Sequence, residues 1–283
     1  MLSGLNLNRF GYIMNSVAPV VTLSPGEFTQ YQRLIYDVAG ISMSDAKQIL
    51  VQGRLASRLK SYQLKSYKQY FDLIVKEPRE LQVAVDLLTT NETYFFRESK
   101  HIDFLRDNIL PISKLGRPFR LWSAASSSGE EPYTLAMVLA DHFKGSPWEI
   151  LGSDLSSRVL EKAKIGSYPL ERAENIPQDY LKTYCMKGIG KKSGTFLISS
   201  ELQKHMEFTQ INLVERLPDV GLFDVIFLRN VMIYFNVETK IKVINQLLKQ
   251  LRPGGYFIVG HSESLHGMGI NLETICPSVY QKL

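Results

Sequence analysis

Cysteine is scarce in this sequence, with two in 283 residues, Cys185 and Cys276. They lie far apart, neither belongs to a Cys-x-x-Cys pair, and neither sits near paired histidines. That pattern argues against a zinc site and a disulfide framework, and it favours a reducing, cytoplasmic setting. Long apolar runs are missing too. The most apolar stretch, Phe223 to Phe235, is interrupted by Asp224, Arg229 and Asn230, so it cannot supply the roughly 20 apolar residues of a membrane-spanning helix. Met1–Val21 carries Arg9 as its one charge, and Asn15 and Ser16 break its apolar run. It reads as part of a flexible tail, residues 1–22, rather than a signal peptide. Internal repeats and low-complexity tracts are also lacking, which excludes solenoid and fibrous readings.

What is present is ordinary globular material. Hydrophobic residues make up 45% and charged residues 22%, enough to bury a sizeable core in one large or two small domains. The formal net charge of +5 suits an acidic partner, whether protein or nucleic acid, without choosing between them.

Two regions differ in periodicity. In the first, residues 23–90, helix follows helix. Ser24-Pro25-Gly26-Glu27 combines an N-cap, a proline at the first helical position and a capping-box glutamate. Phe28, Tyr31, Leu34, Ile35 and Val38 follow at helical spacing until Gly40. Further helices are expected from Ser44 to about Ser61, from Ser66, and from Pro78. In the second region, residues 91–283, strands alternate with helices. Strands are predicted at Phe119–Trp122, Trp148–Gly152, Phe223–Leu228 and Tyr256–Val259, with helices at Pro132–Phe143, Ser157–Lys164 and Val237–Leu251. That alternation implies an α/β, doubly wound, mostly parallel sheet. Residues 166–208 interrupt it with prolines, glycines and the strand-like Thr195–Ile198, and read as an inserted antiparallel subdomain.

Four motifs carry candidate chemistry. The loop Ser123-Ala124-Ala125-Ser126-Ser127-Ser128-Gly129-Glu130-Glu131-Pro132 follows the first strand, where small side chains let a ligand approach backbone N–H groups. It has one glycine, not Gly-x-Gly-x-x-Gly, so a plain strand-to-helix connection explains it as well. Asp154, 25 residues after Gly129, ends the second strand. An acid there can hold both ribose hydroxyls of an adenosine-containing ligand, or it can cap the next helix. The junction segment Asn91-Glu92-Thr93-Tyr94-Phe95-Phe96-Arg97 could close a pocket or pack domains together. Arg229-Asn230-Val231-Met232-Ile233-Tyr234-Phe235 follows a buried strand, at the carboxyl end where catalytic groups gather in such sheets. Apart from Tyr234, its Met232–Phe235 stretch is expected to be core.

Taken together, these elements resemble the CheR-type chemotaxis receptor methyltransferases. The residues carrying the resemblance run from Thr89-Thr90-Asn91 through Phe95-Phe96-Arg97-Glu98, Trp122 to Tyr133, Ser153-Asp154, Asn212-Leu213 and Phe227 to Phe235, to Gly260-His261-Ser262-Glu263. The resemblance implies a Rossmann-like methyltransferase domain that binds S-adenosylmethionine. It implies cofactor contacts from Asn91, Thr93, Arg97, Glu131, Asp154, Asn212, Leu213, Arg229 and Asn230, with Arg97 and Tyr234 near the methyl group and no metal. The acceptor it implies is a glutamate carboxylate on the cytoplasmic helical bundle of a chemoreceptor. His261 reads as a structural histidine.

Two docking elements are expected. Lys47, Arg54 and Arg58, at i, i+7 and i+11, fall within roughly 40° of one another on a helix. From Met43 to Lys68 there are six basic residues against one acid, Asp45, a stripe that suits a glutamate-bearing bundle or is simply a solvated face. The inserted subdomain resembles the family's β-subdomain, with Gly188 and Gly190 at a turn where a receptor's C-terminal peptide could add as a strand. A monomer without nucleic-acid or membrane partners is expected. A nucleic-acid base methyltransferase would carry an Asn/Asp-Pro-Pro-aromatic motif where this chain has Arg229-Asn230-Val231-Met232. A non-catalytic docking module would have lost Glu131, Asp154 and Asn212.

Overall fold

The start of the helical region follows from its capping chemistry. In the computed structural model, which describes residues 21–113 and 116–283, Ser24 Oγ accepts from Glu27 N at 3.3 Å while Glu27 Oε2 accepts from Ser24 N at 2.9 Å. Residues 1–20, most of the expected tail, lie outside the described residues. The reciprocal cap starts α1 (Pro25–Ala39), and Gly40 ends it at φ 68°. A side chain at Gly40 would meet Val214 and Thr239 of the second region at 2.6 and 2.8 Å, so the chain turns there without a Cβ. A 3₁₀ turn at Asp45–Lys47 leads into α2 (Gln48–Ser61), Ser66 caps α3 (Tyr67–Ile74), and α4 (Pro78–Leu88) follows. Tyr31, Ile35, Val51, Leu55, Tyr70 and Val85 fill the core between these four helices.

The second region begins with α5 (Ser99–Phe104), extended by a π turn at Leu105–Ile109 and a 3₁₀ turn at Leu110–Ile112. Then come β1 (Phe119–Ser123), α6 (Glu130–Phe143), β2 (Trp148–Asp154) and α7 (Ser157–Ile165). The insertion holds β3 (Ser167–Pro169), α8 (Gln178–Tyr184), β4 (Cys185–Lys187), β5 (Thr195–Ile198) and the short α9 (Ser200–Gln203). The chain closes with β6 (Met206–Gln210), β7 (Phe223–Leu228), α10 (Val237–Lys249), β8 (Leu251–Val259), β9 (Glu273–Cys276) and β10 (Val279–Gln281).

Seven strands form one sheet in the order β6-β2-β1-β7-β8-β10-β9. The first five run parallel; β10 is antiparallel to both β8 and β9. This is a doubly wound, Rossmann-like sheet with an N-terminal all-helical unit and a separate antiparallel sheet, β3-β5-β4. From β1 the chain winds outward through β2 to β6, then returns to place β7 on the other side of β1. That reversal opens a crevice at the carboxyl ends of β1 and β7, where such folds bind ligands.

Candidate active site

The serine-rich loop after β1 is built around Asp154. Ser126 N donates to Ser153 O at 2.8 Å, and Ser127 N donates to Asp154 Oδ2 at 2.9 Å. Ser156 N donates to the other oxygen, Oδ1, at 2.9 Å. Burial pushes the Asp154 carboxyl above its usual range, and these two N–H groups pull against that rise. Gly129 starts α6 at φ 98°, where a Cβ would meet Tyr168 Oη at 2.7 Å and Ala163 Cβ at 2.9 Å. The single glycine of the loop thus stands where a Cβ would clash.

A chain of ionic contacts crosses the floor. Arg229, 6% exposed, donates from Nη1 to Glu131 Oε2 at 2.7 Å and from Nη2 to Glu98 Oε2 at 3.0 Å and Arg97 O at 2.6 Å. Its Nε is buried and has no acceptor among the described residues. Ser123 Oγ donates to Glu131 Oε1 at 2.7 Å. Asn230, at φ 58°, donates from its backbone N to Glu263 Oε2 at 2.8 Å and from Nδ2 to Glu98 Oε1 at 3.1 Å. Phe96 at φ 55°, Glu98 at φ 53° and Ser127 at φ 47° share this left-handed backbone around the site.

Asn91, Thr93, Arg97, Glu131, Asp154, Asn212, Leu213, Arg229, Asn230 and Tyr234 all line one cavity of about 990 Å³, counting its open mouth. Arg97 donates from Nη1 to Glu92 O at 3.0 Å and lies over the Tyr94 ring. Asn212 Nδ2 donates to Val38 O at 2.7 Å, tying the cavity wall to α1. Ile233 is 50% exposed, against the expectation of core, because the Met232–Tyr234 3₁₀ turn rotates it outward while Met232 and Phe235 stay buried.

Glu98 and Glu263 hold the site together, and the sequence reading did not give them that role. Their signal lay in the motifs quoted, since Glu98 follows Arg97 and Glu263 ends Gly260-His261-Ser262-Glu263. His261 is exposed, and its ring meets that of His101 edge-on at 4.5 Å. The buried histidine is His101, 2% exposed. Glu98, His101 and His261 bring possible ligand atoms within 4.8 Å of one another, but the Glu98 oxygens already accept from Arg229, Asn230 and His261 N.

Two of the three residues of the basic stripe have partners within the helical domain. Arg54 Nη1 donates to Leu88 O at 2.7 Å and Thr89 O at 3.1 Å, closing the C-terminus of α4. Arg58 makes a two-point pair with Glu80, at 2.7 and 2.6 Å. Both guanidinium groups are engaged inside the helical domain, and Lys47 alone of the three is exposed. In the insertion, Gly188 sits where a Cβ would lie 2.1 Å from Lys192 O, and Gly190 has φ 57°. They shape the turn after β4, an edge strand of its sheet, with Ile189 84% exposed beside it.

Comparison with known proteins gives two family matches. Residues 26–89 match the family described as CheR methyltransferase, all-alpha domain, and residues 91–279 match CheR methyltransferase, SAM binding domain. The chain is 40% identical to chemotaxis protein methyltransferase 2 of Pseudomonas aeruginosa over 258 residues, covering 90% of this chain and 92% of that one. It is 35% identical to the chemotaxis protein methyltransferase of Borreliella burgdorferi over 291 residues, covering 98% and 100%. Its identity to the Escherichia coli chemotaxis protein methyltransferase is 38% over 249 residues, covering 86% of each.

Proposed function

This chain belongs to the CheR methyltransferase family, S-adenosylmethionine-dependent enzymes that methylate chemoreceptors, and from that premise we propose that its acceptors are glutamate side-chain carboxylates. The observation supporting this most directly is the convergence of all ten expected cofactor and catalytic residues on one cavity at the strand ends.

The donor set suits the cofactor. Asp154, its carboxylate aligned by two backbone N–H groups, would hold the ribose hydroxyls. Glu131 would hold the amino group. Arg229 lines the same cavity and fixes Glu131 and Glu98 through its Nη atoms. Asn91, Thr93, Asn212, Leu213 and Asn230 complete the walls.

When bound, S-adenosylmethionine supplies an electrophilic methyl, whose C–S bond electrons leave with sulfur as the acceptor oxygen forms the ester. A glutamate carboxylate, with a reference pKa of about 4.3, is already ionised near neutral pH, so this site needs no general base. What the protein contributes is alignment and exclusion of water from the carboxylate. Arg97 and Tyr234 line the cavity where they can orient that carboxylate, and Arg97 also counts among the cofactor residues.

The helical domain, residues 23–90, would dock the receptor's cytoplasmic helical bundle, with Lys47 the exposed member of the expected stripe. The β4 edge and its Gly188–Gly190 turn would take a receptor's C-terminal peptide as an added strand. No described helix is long and apolar enough to cross a membrane, and we place the enzyme in the cytoplasm as a monomer.

The test is transfer of labelled methyl from S-adenosylmethionine to receptor-containing membranes, followed by mild alkali. Label on receptor, released by base as methanol, supports glutamate methyl esters. Base-stable label, or label on nucleic acid, refutes them.

A further inference from the structure

The turn that presents Asp154 is fixed from outside its own domain. Ser156, which precedes α7, makes no side-chain cap, and its hydroxyl is buried without a partner. The cap comes from Asp86 on α4, a residue 6% exposed. Asp86 Oδ2 accepts from Ser157 Oγ at 2.9 Å and Arg158 N at 3.3 Å, and Oδ1 accepts from Ser157 N at 3.1 Å. Arg158 Nη2 returns to Asp86 O at 3.3 Å. One helical turn earlier, Gln82 Nε2 donates to Asp86 Oδ1 at 2.7 Å and to Leu155 O at 3.2 Å; Gln210 Nε2 reaches the same carbonyl at 2.9 Å.

Backbone groups on both sides of Ser156 are thus held by side chains from elsewhere, and Ser156 N is the donor that orients Asp154 Oδ1. A buried carboxylate is costly unless hydrogen-bond donors surround it. The donors to Asp86 belong to this turn and to Gln82. Its position at the start of α7 also matches the positive end of the helix dipole.

We propose that Asp86 is a positioning residue for cofactor binding, acting from the helical domain through the 155–158 turn to hold the Asp154 carboxylate in place. The inference rests on the ribose role proposed for Asp154. Its sign separates it from a simple charge effect. The negative charge of Asp86 adds to the burial that raises the Asp154 carboxyl, so removing that charge alone would favour ionised Asp154 and leave binding equal or tighter. Removing an anchor weakens binding.

The experiment is calorimetric titration of the full chain with S-adenosylhomocysteine, with melting curves run alongside. Asp86→Ala is expected to weaken binding about fivefold, the factor that a lost helix cap corresponds to. The loss should shrink toward a 2′,3′-dideoxy analogue, and it should nearly vanish in an Asp154→Ala background, because residues acting in one network are not additive. Methyl transfer at saturating cofactor should keep its kcat. If Asp86→Ala does not fold, Gln82→Ala removes one tether of Leu155 O and is expected to weaken binding about twofold. Normal or tighter affinity in the folded variant overturns the inference, as does an equal loss with the dideoxy analogue or additivity with Asp154→Ala. Normal affinity in Asp154→Ala overturns the ribose reading and this inference with it, whereas normal affinity in Asp86→Ala alone overturns only the inference.

Discussion

Replacing Arg58 with leucine separates a docking charge from an internal strut. Glu80 is 6% exposed and accepts from Arg58 Nε and Nη2, from Tyr70 Oη at 2.7 Å and from Tyr62 Oη at 3.0 Å. Burial alone would raise its carboxyl, but the bonds from Arg58, Tyr70 and Tyr62 outweigh burial and hold it below the usual range. Arg58→Leu strands that carboxylate. Breaking a fully buried pair costs about 3–5 kcal/mol; here both tyrosine hydroxyls remain and Arg58 is partly exposed, so about 2–3 kcal/mol is expected. For a chain of this size that corresponds to a fall of about 3–5 °C in melting temperature. Because the folded carboxyl is held low, its stabilising contribution is present above the unfolded pKa and is lost as pH falls through the folded one. The gap between parent and variant should therefore narrow on acidification. Adding Glu80→Gln, which removes the stranded charge and leaves an acceptor for the tyrosines, should recover part of the loss. Thermal melts across pH, with receptor methylation kinetics alongside, measure all of this. An Arg58→Leu protein that melts like the parent yet shows a raised KM for receptor would refute the reasoning and return Arg58 to the docking surface.

Lys47→Glu should raise the KM for receptor while leaving melting temperature and cofactor affinity unchanged; normal receptor kinetics would leave it as solvated surface. Tyr234→Phe should lower kcat about tenfold by loosening acceptor alignment, with S-adenosylhomocysteine affinity intact, and an unchanged kcat would remove Tyr234 from the acceptor's surroundings. Burial, then the cation of Arg229 and His261, lower His101 to about 4, against the weaker pull of Glu98. The unfolded chain therefore binds a proton that the folded one refuses between about pH 6.5 and 4, and stability should decline by about 3 kcal/mol as pH falls through that window. His101→Phe should flatten this decline, and urea midpoints with the parent's full pH dependence would count against it.

Local signals were the legible ones. The capping box at Ser24 and Glu27 involves residues three apart, and the buried strands Phe223–Leu228 and Thr195–Ile198 carry their own punctuation, so their bounds could be read directly. The cavity was legible because loops after parallel strands converge by topology. Pairings across long separations were not. Arg58 meets Glu80 22 residues away and Asp86 meets Ser157 71 residues away, and no helical or strand period encodes either. β6 escaped notice because its alternation, Met206-Glu207-Phe208-Thr209, is only four residues long and lies at a partly buried sheet edge. β9 and β10 are short and join the sheet antiparallel, β10 against β8 and β9 against β10, a choice fixed by the neighbouring strand rather than by their own residues.

Phe96, Glu98, Ser127 and Asn230 hold left-handed backbone around the cofactor cavity with ordinary side chains. Each such residue is disfavoured by about 1–2 kcal/mol relative to right-handed backbone, a burden that glycine would not carry. Glycine at Ser127 would relieve that burden but lose the Ser127 Oγ bond to Asn91 O, whereas at Glu98 and Asn230 the side-chain bonds lost, to Arg229 and to Glu98 respectively, outweigh the relief. Any gain would give up a side chain or a rigid turn that shapes the cavity. Hardiness and methylation rate are set against each other in this fold, and selection for one should be visible as decline in the other.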